Sequence, residues 1–450
     1  MRSVLTPILV AAIVATGCQQ VGDGKASSVS GQPVATVPTV PRFPAGLADY
    51  QIARWTKLSP TCATANSRDI PSCLRSFVEA GHVLGVVTVA DGPGIGSRID
   101  AVGNVTPTSI FQIMSMTKPF VAVAIMRLVE QGRLPSVDTP VAELPGLDDF
   151  PYKGVTLKQL LTHTSGMWYV REEQPGVMVG IAPHLTNKLD KAPDVTVRDK
   201  SLAFVARHYA NPKLYPLEST SPQYSNIGYT MLGWILERVS GQPFHRLIQQ
   251  EVLDPLGMKD TFFFPDSASA DQRARIVNLD HRVPHSPVFD DYERLRPGWN
   301  YPSPEGGLYS TAHDLRQFLL LFRYRGQVPG QSRVLSPESV RRLVEDEVPG
   351  GDYSVVVSVR CKGRIGHTLA FFVVRAGGCP DWPGFSQGTI EHDGRFSTDF
   401  WYDPVTDRVG VFLYQAVSDY ASTPGIAEND VFKQTLAAIP AATRARPNDR

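Results

Sequence analysis

Strand-type and helix-type periodicities are segregated along this chain, and that segregation limits the folds open to it. "HVLGVVTVADG" and "SRIDAVGN" read as two strands of a meander near the N-terminal side. "YSVVVSVRC", "HTLAFFVVR", "RFSTDFWYDP" and "RVGVFLYQAV", rich in β-branched and aromatic residues, return the strand pattern near the C-terminal side. Between them the 3.6-residue period dominates, in "VTLKQLLTH", "SLAFVARHYA", "IGYTMLGWILERVSG", "TAHDLRQFLLLFRYRG" and "SPESVRRLVEDE". A last helix is expected near "ENDVFKQTLAAI". Strands at both ends with helices between them fit an α/β (α+β) fold: a central antiparallel sheet assembled from both termini, flanked by helices, with an inserted, mostly helical region. The stretch from Asp271 to Tyr301 has weak periodicity and is expected to be a long surface loop bordering a site.

With 450 residues, 42% of them hydrophobic, the chain can build one large core. Its 44 basic and 44 acidic side chains balance, so no net field favours nucleic acid or an anionic surface, and a small-molecule partner is expected. The opening "MRSVLTPILVAAIVATGCQQ" has one arginine, then an apolar run shorter than the ~20 residues a bilayer span needs, then small residues before Cys18. Residues 1–17 read as an export signal. "ATGC" resembles a bacterial lipobox, with Cys18 as the lipidated residue, although Ala15 stands where a larger aliphatic is usual; a simple secretory signal is the alternative. Residues 18–42, rich in Ser, Gly, Pro and Val, form a flexible tether after the lipidated cysteine; 43–440 form the folded domain and 441–450 a disordered tail. The expected location is the periplasm or cell envelope, at the membrane by the lipid anchor.

Five cysteines suit an oxidising compartment if Cys18 is otherwise occupied. Cys62 with Cys73 and Cys361 with Cys379 then make two short-loop disulfides, or four buried thiols. No CxxC or HExxH pattern appears, so neither metal nor other cofactor is expected.

Chemistry is suggested first by "IMSMTKPF". If a helix starts at Ser115, Lys118 shares its face and the amine can reach the hydroxyl. The positive end of the helix and the apolar neighbours Ile113, Met114, Phe120 and Val121 both disfavour the ammonium, which suits an amine that accepts the serine proton. Pro119 fits only in a first turn. Of the 12 lysines only Lys118 has a serine three residues earlier, yet the spacing is also that of a plain N-cap and a surface cation. In "PQYSNIGYTMLGWILERVSG", Tyr224 and Asn226 stand at a loop-to-helix junction from which side chains can enter a cleft, and a tyrosine between two cations could ionise and shuttle a proton. Tyr209 and Asn211 of "HYANP" are the rival pair, set aside because Tyr209 ends a helical pattern against Pro212 and suits the core. In "EHDGRFSTDFWYDP", His392 and Gly394 open a strand beside a turn, where glycine lets substrate approach the backbone.

"SMTK", "YSN" and "HDG", in that order, resemble the three motifs of the serine β-lactamase and penicillin-binding-protein superfamily, above all class C β-lactamases and family VIII carboxylesterases. "LLTHTSGM", "VSGQPF", "PLGMKDT", "EGGLYSTAHDL" and "FWYDP" extend the likeness over roughly Gly81 to Gln415. The resemblance implies Ser115 as acyl-enzyme nucleophile, Lys118 as its activator and Tyr224 as base or proton relay. It further implies Asn226 orienting Lys118 and the substrate amide, with the backbone N–H groups of Ser115 and Arg395 as oxyanion hole.

The departure is at the third motif, where a Lys-Thr-Gly or Lys-Ser-Gly is usual and this chain has His392, Asp393 and Gly394. A permanent ammonium for a substrate carboxylate is replaced by a group mostly neutral at pH 7, and Asp393 would oppose a carboxylate further if it faces the cleft. Arg395 compensates only if its side chain faces the cleft, which strand alternation leaves open. The expected function is therefore a serine hydrolase of carboxylesterase type, acting on ester or small amide substrates. The alternatives are a β-lactamase or DD-peptidase acting on β-lactams or cell-wall peptides, and a non-catalytic envelope binding protein. "GFSQG" fits the nucleophile-elbow pattern at Ser386, but no buried strand precedes it and no helix follows.

Overall fold

The computed structural model describes residues 70–79, 81, 83–167, 171–174, 177–179, 188–189, 191–217, 222–282, 297–353, 361–380, 382, 384–416 and 433. The predicted signal, the tether, Cys18, Cys62, the tail and nearly all of the last predicted helix lie outside these residues, as does the disulfide predicted between Cys62 and Cys73.

A helix α1 (Ile70–Glu79) precedes the hairpin β1 (Gly85–Gly92) and β2 (Gly96–Gly103). A short strand β3 (Ile110–Gln112) leads to the nucleophile turn and to helix α2 (Lys118–Glu130). Then come α3 (Leu157–Leu161), two small hairpins, β4 (Arg171–Gln174) with β5 (Val177–Val179) and β6 (Lys188–Leu189) with β7 (Ala192–Thr196), and α4 (Leu202–Tyr209). The long helix α5 (Asn226–Ser240), β8 (Tyr309–Thr311), α6 (Ala312–Arg323) and α7 (Pro337–Val344) follow. The chain returns to the sheet as β9 (Ile365–His367), β10 (Phe372–Val374), β11 (Ile390–Gly394), β12 (Thr398–Asp403) and β13 (Arg408–Leu413).

The main sheet is antiparallel and seven-stranded, in the order β2-β1-β13-β12-β11-β10-β9. The N-terminal hairpin thus pairs with the last strand, the arrangement expected from strand patterns at both ends. β1 and β13 are buried along their whole length because the sheet is covered on both faces. One apolar cluster joins α2, α5 and α6 to Val87, Val89, Phe400 and Val411; a smaller one packs α1 residues Leu74 and Phe77 against Val86, Trp401 and Phe412. Asp91 on β1 accepts from Arg316 and Arg323 of α6, each at 2.5 Å, which ties that helix to the sheet.

Two expectations change. "HTLAFFVVR" is not one strand: Thr368 accepts the amides of Ala370 and Phe371 with its hydroxyl and folds the segment into a tight turn between β9 and β10. The Asp271–Tyr301 stretch begins within a short helix, Ala270–Ala274, capped by Ser269, and buries Asp280 under Tyr414; positions 283–296 lie outside the described residues.

Candidate active site

The expected helix does not begin at Ser115 itself. Met114–Thr117 form a 3-10 turn, and the α-helix starts at Lys118 with Pro119 in its first turn. Met114 takes φ 50°, a left-handed conformation costly for a side chain of its size, directly before the serine. The turn is held from the side: the amide of Ile113 donates to the carbonyl of Leu308 at 3.0 Å, and the amide of Leu308 to Thr117 Oγ1 at 3.1 Å. This double tie sets the segment 305–308 beside the nucleophile.

The consequence is a fully enclosed amine. Lys118 Nζ donates to Ser115 Oγ at 3.1 Å, to Asn226 Oδ1 at 2.9 Å and to the backbone carbonyl of Glu305 at 2.7 Å. Burial pulls its pKa down to about 7, against the opposing pull of the Glu305 charge and then of Asp393. A lysine that titrates there is available as a base near neutral pH.

α5 supplies the second motif. Ser225 caps the helix by accepting the Gly228 amide at 2.9 Å, Asn226 is its first residue, and Gly241 closes it in a left-handed conformation. Gly233, on the same helix, has no room for a side chain, because a Cβ there would overlap the ring of Pro304. That close approach brings Glu305 over Lys118. Ser115 acts on the Tyr224 hydroxyl, and the Tyr224 ring lies 4.7 Å from Lys118 Nζ. Burial raises the Tyr224 pKa, which Ser115 only partly offsets. Burial thus works against the ionised phenol that the sequence suggests between two cations.

β11 supplies the third motif. His392 and Gly394 share the inner face; Asp393 alternates to the other side, and its side chain is 69% exposed. Its charge nevertheless acts on Lys118 and Tyr224. His392 is buried, its Nδ1–H donates to the Asp393 carbonyl at 2.8 Å, and its Nε2 has no partner. Burial first and Lys118 second hold it well below the usual histidine pKa, so no imidazolium replaces the missing lysine. Gly394 packs against the carbonyl of Ile113, where any Cβ would overlap it. The end of β11, and with it Arg395, is thereby set alongside the turn that carries Ser115.

Besides Glu305, three site residues were not singled out from sequence. His163, in "LLTHTSGM", takes φ 59°, accepts the Ser225 amide on Nδ1 at 3.0 Å and lies 4.5 Å, ring to ring, from Tyr224. His367 of β9 lies 5.1 Å from His163, and Tyr353 donates to the Thr162 carbonyl at 2.6 Å. The first stood in a stretch already quoted for the resemblance; the other two had no local signal. The Cys361–Cys379 disulfide is formed and lies in a small apolar cluster with Tyr353, Phe372 and Trp382, against which Tyr224 packs. Tyr209 is buried core, as expected. Ser386 donates to Asp403 at 2.9 Å from a turn with no helix after it, so it is no nucleophile elbow. Among the described residues no group of three His, Cys, Asp or Glu side chains could hold a metal ion.

Such an arrangement, a serine hydroxyl between a depressed-pKa amine and a phenol beside strand β11, defines the serine-reactive fold of β-lactamases and penicillin-binding proteins. The chain belongs to the Beta-lactamase family, whose pattern it matches over residues 70–431. It is 33% identical over 203 residues to esterase EstB of Burkholderia gladioli, spanning 44% of this chain and 47% of that one. It is 27% identical over 346 residues to penicillin-binding protein 4 of Amycolatopsis lactamdurans, spanning 74% and 77%. The structure of EstCE1, a hydrolase with promiscuous acyltransferase activity, superposes with a TM-score of 0.62 at 18% identity, covering 87% of this chain and all of that one. The protein is thus related to serine hydrolases of the β-lactamase and penicillin-binding-protein superfamily.

Proposed function

We propose that the protein is a carboxylesterase-type serine hydrolase that forms an acyl-enzyme at Ser115 on uncharged ester or small amide substrates. The observation that carries this reading is the neutral, buried His392 where a carboxylate-binding ammonium would stand. Lys118 Nζ takes the Ser115 proton as Oγ attacks the acyl carbon, and the backbone N–H groups of Ser115 and Arg395 receive the oxyanion. Tyr224, protonated at rest, passes a proton to the leaving group and is refilled from Lys118; water then reverses the sequence in deacylation. Asn226 holds the amine in line. The partial likeness to esterase EstB supports the ester reading.

The test is turnover of p-nitrophenyl butyrate. Ser115→Ala should abolish it together with the covalent adduct seen by intact mass; retained turnover overturns the assignment. The likeness to penicillin-binding protein 4 favours a second reading, a β-lactamase or DD-peptidase, which robust nitrocefin hydrolysis or release of D-Ala from a stem peptide would promote. The Cys361–Cys379 disulfide supports an exported protein, and we extend the proposal to lipid attachment at Cys18. Metabolic incorporation of an alkynyl fatty acid, lost in Cys18→Ala, is the expected result; equal labelling of both sinks the anchor.

A further inference from the structure

Lys118 must carry its proton during part of the cycle and lose it during another, although it is sealed from water. Burial alone would hold the amine too acidic to accept a proton from a serine hydroxyl, so a buried anion nearby has a use. Glu305 provides one. It is 1% exposed, and its carboxylate accepts from the hydroxyl of Tyr301 at 3.3 Å on each oxygen and from Thr230 at 3.4 Å. Thr230 stands one helical turn beyond Asn226, and its single hydroxyl proton is shared between the carboxylate and the Asn226 carbonyl, each at 3.4 Å. The backbone carbonyl of Glu305 is itself an acceptor for Lys118 at 2.7 Å. The residue therefore bonds the amine through its main chain, while its carboxylate is tied through Thr230 to the helix that carries Asn226.

Resting on the acyl-enzyme reading above, we propose that Glu305 is a positioning residue of the lysine base, its buried carboxylate fixing the pH at which Lys118 becomes competent. The other titratable groups around the amine are Tyr224, Tyr229 of α5, His163, His367 of β9, and His392 with Asp393 on β11. Tyr301 faces the carboxylate and is itself influenced by Tyr209 of α4. The three histidines are held below their ordinary range and the tyrosines above theirs, so none carries charge near neutrality. Asp393 adds a smaller pull on Lys118 from an exposed side chain screened by solvent. Glu305 is the buried carboxyl whose charge exerts the larger pull.

The sign follows: the negative charge raises the Lys118 pKa, so its removal lowers it. Glu305→Gln should move the acid limb of kcat/KM for p-nitrophenyl butyrate to lower pH by roughly half a unit or more. The plateau at pH 9 should fall several-fold, because the weaker base drives the proton transfer less. Should that variant fail to fold, Glu305→Met and Glu305→Asp carry the same comparison, one neutral and one charged. A shifted limb in Met and an unshifted one in Asp is the expected pattern. Limbs that coincide with the wild type in the neutral variant, or shift equally in both, overturn the inference. Fluorophosphonate labelling of the wild type separates the two readings. Wild type that does not label at Ser115 refutes the acyl-enzyme function, whereas labelled wild type with an unmoved limb in the neutral variant refutes only the role of Glu305.

Discussion

The carbonyl oxygen of Ile113 occupies the space that a Cβ at position 394 would need, so the third-motif strand and the nucleophile turn touch through bare backbone. Gly394→Ala should push β11 off the turn and misplace one of the two N–H groups offered to the oxyanion. The expected loss in kcat is about 10²-fold or more, the scale of one oxyanion donor. Overpacking should cost about 1–3 kcal/mol. Ester kinetics and urea melts on the same preparation separate the two effects, and an alanine variant of normal kcat refutes the close-contact argument.

Lys118 ties activity and stability to pH through the same neutral amine. Activity requires the free amine, so kcat/KM should rise as pH increases through about 7. Lys118→Arg keeps the charge but cannot release the proton, and a loss of about 10²–10⁴-fold is expected. For stability, the folded pKa of about 7 lies below the 10.5 of the unfolded chain. Between these values the unfolded state binds the extra proton, so stability rises with pH across that window, by a few kcal/mol at most, roughly. Measured against Lys118→Met, whose melts lack this proton, the wild type should gain on going from pH 7 to pH 10; parallel curves would show that the amine is not buried as described.

At the third motif, His392→Lys should restore an ammonium beside Tyr224. We expect the ratio of nitrocefin to p-nitrophenyl butyrate kcat/KM to rise by roughly tenfold, about 1.4 kcal/mol of discrimination. An unchanged ratio would mean that the neutral imidazole does not set the preference for uncharged substrates.

Cys361 and Cys379 are 18 residues apart and close a loop that carries His367 and Phe372 toward the site. A double alanine variant should lose about 3 kcal/mol by the loop-entropy argument, read from urea melts. Because Tyr224 packs against the same cluster, KM for the ester should rise as well. A stability loss with no change in KM would separate the cluster from substrate binding.

The chain by itself determined the two-ended sheet, since β-branched runs such as "GVVTVADG" and "RVGVFLYQ" bracket the helical patterns and must bury their faces together. It also made Ser115, Lys118, Tyr224, Asn226 and Gly394 legible, because each sits in a short stretch whose chemistry is local: one helical turn, one cap, one glycine. The apolar neighbours of Lys118 and the ordinary histidine range already pointed to a disfavoured ammonium and a mostly neutral His392. What only the tertiary structure decided is how completely the site is sealed: segments distant in sequence bury Lys118 and His392 and push the Tyr224 phenol up, against the ionised form that a neighbouring cation would favour. Glu305 meets Lys118, His163 meets Tyr224 and His367 meets His163 for the same reason: they arrive from separate turns and strands, and only packing brings them together.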